Sequence, residues 1–155
     1  MLSFLIDNRS ALQQVLLLAI FGIALWRGGG PEKLCAGTFV GMWIADRVYH
    51  ALLTNAVQFE SVDLVHLGID LLATAVLLKV ALKANRLYPL WLTALQLAAT
   101  LSHLFRAASP ALQDGAYSIF IVAPSYLQIP SLAIALVLHL RRQRKHGPYP
   151  SWQNC

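Results

Sequence analysis

Five apolar stretches fill most of the 155 residues, and the connections between them are too short to form domains of their own. They run from Ala11 to Trp26, Cys35 to about Thr54, Asp63 to Leu82, Tyr88 to Phe105 and Ala116 to Leu140. A helix needs about 20 apolar residues to cross the hydrocarbon core of a bilayer. The residues are 57% hydrophobic and only 12% charged, too few charges to cover a soluble domain of this length. The expected fold is therefore all-α: a polytopic integral membrane bundle of five transmembrane helices spanning 1–140, with a basic cytoplasmic tail at 141–155.

The punctuation between stretches fits helices. Arg27-Gly28-Gly29-Gly30-Pro31 is expected to end the first helix, and Pro89 sits in the first turn of the fourth, where its missing N–H costs nothing. Pro124 and Pro130 should kink or break the fifth midway. Met1–Ser10 carries one Asp and one Arg rather than a basic cluster, and no small-x-small pattern follows Trp26. The first stretch is thus expected to be retained rather than cleaved as a signal peptide.

Basic residues set the orientation. With Arg141, Arg142, Arg144 and Lys145 inside, five spans put the amino terminus outside and the carboxyl terminus in the cytoplasm. Arg27, Lys33, Lys79, Lys83 and Arg86 then also fall inside, against Arg9 and Arg106 outside, and Arg47 within the membrane. A bacterial cytoplasmic (inner) membrane is the expected location. The net charge of +5 belongs to membrane flanks, so the expected partner is the lipid bilayer and not nucleic acid. His139 and His146 are grouped with that basic tail and expected to be solvated or near headgroups. Cys35 and Cys155, both on the reduced side, are expected to form no disulfide.

Ionisable groups cost roughly 2.5–3.5 kcal/mol each at the centre of a span, and inside a bundle they mark a working site. Here they fall at helical spacing. Asp46 and His50 are four apart, with Arg47 between them; Asp63, His66 and Asp70 follow at three and four. Thr93, Gln96, Thr100 and His103 repeat at three and four, and Ser125 and Gln128 are three apart between the prolines. Such stripes should face one another, since hydrocarbon offers no partners. At 1.5 Å per residue, alternating spans bring His50, His66 and His103 to a similar depth in the outer half of the bundle.

The candidate pocket comprises Asp46, Arg47, His50, Asp63, His66, Asp70, Gln96, His103, Ser125 and Gln128. Carboxylates and imidazoles in a membrane bind a cation or relay protons, and this is the expected function. A second expectation is a divalent metal on His50, His66 and His103, or a haem on two of them, making a membrane enzyme or an electron carrier. A third makes the polar core purely structural, in a non-catalytic membrane subunit, an immunity protein or an assembly protein. Gly37, Gly41 and Ala45 form a small-xxx-small face open to a second copy or to another membrane protein. The spacing carries no nucleotide-binding motif: Gly28-Gly29-Gly30 lacks the required pattern and reads as a linker.

Overall fold

The structure, a computed structural model, describes residues 9–52, 64–108 and 114–153. Within them the chain is all-helical: α1 (Arg9–Arg27), α2 (Gly30–Leu52), α3 (Leu64–Lys83), α4 (Tyr88–Ala108) and α5 (Asp114–His146). Asp63 and Cys155 lie outside the described residues. The helices form a bundle in which α4 packs mainly on α3 and α5, while α2 packs on α1 and α3. α5 closes the ring by packing on α1 as well.

Among the described residues three segments are long and apolar enough to cross a membrane: Ser10–Arg27, Leu64–Lys83 and Ala123–His146. The chain is a membrane protein on that ground. In α2 and α4 the polar stripes, Asp46–Arg47–His50 and Thr93–Gln96–Thr100–His103, dilute the apolar content. The arrangement inverts that of a soluble bundle. Leu12, Val15, Leu18, Leu71, Leu72 and Ile134 point outward, while Asp70, Gln96, Thr100, His103 and Gln128 are buried. Water would not tolerate so much contiguous apolar surface without a partner to cover it, and lipid provides one.

The glycine run is shorter than expected as a break. Only Gly28 and Gly29 separate α1 from α2, which begins at Gly30 with Pro31 in its first turn. Gly29 acts as the cap: its carbonyl accepts from Lys33 N at 3.1 Å, and its N–H donates to Glu32 Oε2 at 3.1 Å. This is the reach-back half of a capping box. α5 does not break at its prolines, running as one helix through both Pro124 and Pro130. Prolines are tolerated inside membrane helices because neighbouring helices and side chains can satisfy the groups that they free.

The basic tail does not stand apart from the bundle. α5 continues to His146 and ends at Gly147, whose φ of 74° is the left-handed cap that glycine adopts without strain. The following segment folds back along the end of the bundle. Asn85 N donates to Ser151 O (3.2 Å) and Gln153 N to Lys83 O (2.9 Å). Trp152 lies against Gly30 so closely that a Cβ there would sit 2.6 Å from the indole Cζ2. Gly30→Ala should therefore push Trp152 off its seat and release the segment after Gly147. Limited proteolysis of the carboxyl terminus, accelerated in the variant over wild type, is the check; equal rates would mean that Trp152 does not hold the strap.

His139 corrects an expectation as well. Instead of being solvated with the tail, it is buried, and its Nδ1 lies 2.6 Å from Tyr149 OH. The folded-back segment brings that phenol over it. The guanidinium groups of Arg86 and Arg142 lie over the same Tyr149 ring, at 5.1 and 5.4 Å from its centroid. Arg86, read from sequence as a charge facing the cytoplasm, is buried too, and its guanidinium pairs with the fully buried Glu32.

Candidate functional site

At the opposite end of the bundle, all five helices contribute to one cavity of about 390 Å³. α1 brings Gln13 and Gln14, α2 Phe39, Trp43 and Asp46, α3 His66 and Asp70, α4 Gln96, and α5 Ser125 and Gln128. The walls are otherwise apolar, with Leu17, Met42, Ile69 and Ile129 among them. Apolar walls with a few convergent polar groups are the common make-up of a small-molecule or ion site.

Two carboxylates organise its polar side. Asp70, on the inner face of α3, accepts from Gln96 Nε2 at Oδ1 (3.0 Å) and from His103 Nε2 at Oδ2 (3.1 Å). Gln128 Nε2 from α5 in turn donates to Gln96 Oε1 at 2.9 Å. This gives a continuous chain, His103–Asp70–Gln96–Gln128, crossing α4, α3 and α5. An ionised carboxylate only accepts, so both neighbours must present N–H to it, which fixes the His103 tautomer. Below this chain, Thr74 Oγ1 donates to Asp70 O (2.8 Å) and lies 2.9 Å from Thr100 Oγ1, locking α3 to α4.

Asp46 holds the second group. Its Oδ1 lies 3.0 Å from His66 Nε2 on α3 and 3.4 Å from His50 Nε2 one turn along α2. The two imidazole centroids are 5.3 Å apart, and the Tyr49 ring meets His66 edge-on at 5.1 Å. On α1, Gln13 Nε2 donates to Ser125 Oγ at 3.1 Å, tying the first helix to the fifth beside the cavity. The buried indole N–H of Trp43 has no hydrogen-bond partner among the described residues, although its ring walls the cavity. A buried donor without a partner costs about 1–3 kcal/mol.

The sequence-expected residues thus separate into groups. Asp46, His66, Asp70, Gln96, Ser125 and Gln128 line the cavity, and His103 joins it through Asp70. His50 reaches it through Asp46. Arg47 is exposed and is not part of the lining, and Asp63 lies outside the described residues. The three imidazoles do not gather as one donor set. Among the described residues the groups that close to within 4.8 Å of one another are Asp46, His50 and His66, while His103 is engaged by Asp70. The reason lies in register: Asp70 sits one turn deeper in α3 than His66 and draws the α4 imidazole to that level.

Gln13 and Gln14 were not legible as site residues. They sit at the start of an apolar helix, and only the packing of α1 on α5 turns them inward. No protein-family model, curated protein or solved structure compared with the chain matches it, so the functional reading rests on this geometry.

Proposed function

We propose that the chain is a multi-pass membrane protein whose five helices all cross the bilayer, with the basic end in the cytoplasm, and whose cavity binds a cation or relays protons. The observation that supports this reading is the pair of carboxylates, Asp46 and Asp70, each bonded to imidazole and both facing one cavity. Carboxylates carry the negative charge that a cation needs. Imidazole is the side chain whose ordinary pKa lets it take up and release protons near neutral pH. The His103–Asp70 pair can exchange a proton, and Gln96 and Gln128 hold its carboxylate in place from α4 and α5.

A purely structural core would need only that every polar group be satisfied. The cavity goes further, because it keeps about 390 Å³ of space beside those groups. The full chain, reconstituted into vesicles with a pH-sensitive dye inside, should acidify the lumen when a potential negative inside is imposed. His103→Ala should slow that acidification at least tenfold while the protein remains monodisperse. Acidification no faster than in empty vesicles, or equal in wild type and variant across added mono- and divalent cations, contradicts the reading.

A further inference from the structure

We infer that Asp46, His50 and His66 form a binding site for one divalent transition-metal ion of the zinc class, at the mouth of the cavity. The inference names a cation for the pocket proposed above and in that respect rests on that reading. It is carried by a different observation, the convergence of three donor atoms from α2 and α3 to within 4.8 Å of one another.

The spacing is that of a coordination sphere. Four ligands at 2.0–2.1 Å around zinc stand at the corners of a tetrahedron whose edges are about 3.3 Å long. Asp46 Oδ1 lies 3.0 Å from His66 Nε2 and 3.4 Å from His50 Nε2, one on each side of that edge length. An ion can therefore enter with shifts of a few tenths of an ångström along those two edges. Both rings present the same nitrogen, Nε2, to the shared oxygen.

A helix-locking role does not account for the arrangement. Asp46 and His66 alone tie α2 to α3. His50 stands on the same helix as Asp46, so its contact adds nothing to the lock, yet its Nε2 comes to the same oxygen. The donor set also selects the ion. Two imidazole nitrogens and one carboxylate oxygen suit zinc, cobalt, nickel, copper or iron(II), whereas calcium and magnesium want a shell of oxygens. Side-chain exposures of 53% for His50, 43% for Asp46 and 30% for His66 leave the fourth corner accessible. Asp46 and His66 belong to the cavity wall, so that corner opens to water or to a guest in the cavity.

The test uses the full chain in detergent, stripped with a chelator and titrated with zinc(II) against a chromophoric competitor. One equivalent should bind per chain, and cobalt(II) in its place should give the intense visible absorption of a tetrahedral centre. His50→Ala and Asp46→Asn should each weaken zinc binding at least tenfold. His50 is half-exposed near a helix end, so its loss leaves the fold intact, and size-exclusion profiles verify this. Wild-type protein that binds no zinc, a His50→Ala variant that binds it as wild type does, or cobalt without a tetrahedral spectrum would overturn the site. The vesicle assay keeps the two readings apart: zinc binding that depends on His50, combined with proton flux unaffected by His103→Ala, sinks the relay and leaves the metal site standing. The reverse combination does the opposite.

Discussion

Asp70→Ala is expected to destabilise the bundle by about 3 kcal/mol, seen as a shift to lower denaturing-detergent fraction in equilibrium unfolding. The carboxylate is buried and receives two N–H groups, from Gln96 and His103, that lose their acceptor once it is gone. Each stranded donor costs about 1–3 kcal/mol. Interhelical hydrogen bonds in membrane proteins average nearer 0.6 kcal/mol, which keeps the sum toward the lower part of that range. Gln96 also stands between Asp70 and Gln128, so the loss propagates to α5. An Asp70→Ala protein as stable as wild type would show that the chain of side chains does not hold the helices together.

The other large effect is expected at the basic end. Glu32 is fully buried, and its partner Arg86 has a side chain only 6% exposed. Removing one member of such a pair leaves a buried charge alone, at about 3–5 kcal/mol, whereas an exposed pair is worth about 0–1. Glu32 also accepts from Gly29 N, and Arg86 reaches Ser151 Oγ at 3.3 Å, so this pair ties the α1–α2 turn to the folded-back carboxyl segment. Glu32→Ala should therefore be among the most destabilising single changes in the chain. Replacing both partners by leucine should recover part of the loss, because no buried charge is then left alone while Gly29 N and Ser151 Oγ still lose their partners. Equal destabilisation in the single and double variants would mean that the pair's charges do not balance each other as described.

The two ends of the bundle were unequally legible in the sequence. Period-3.6 stripes on α2, α3 and α4 sufficed to foresee that Asp46, His66, Asp70, Gln96 and His103 would turn inward, since spacing alone decides which face of a helix a side chain occupies. Depth was legible only to within a turn. That margin separates His66, paired with Asp46, from His103, paired with Asp70.

The basic end was hidden for a different reason. Glu32, Arg86, His139 and Tyr149 are far apart in sequence and come together only because the chain after Gly147 returns across the helix ends. No periodicity records such a return. The only local signal was a lone glutamate, Glu32, placed among Arg27, Lys33 and Arg86 in connections otherwise basic. The two prolines of α5 allowed either a kink or a break, and the helix, packed against α1 and α4, does not break.

The central claim is that the Asp70 carboxylate, not merely a polar group of its shape, serves a cation or proton in the cavity. Luminal acidification by vesicles carrying wild-type, Asp70→Asn or Asp70→Glu protein, all verified as folded, tests it most directly. The amide should abolish the flux and the longer carboxylate should restore a substantial part of it. Flux undiminished in Asp70→Asn would contradict the account.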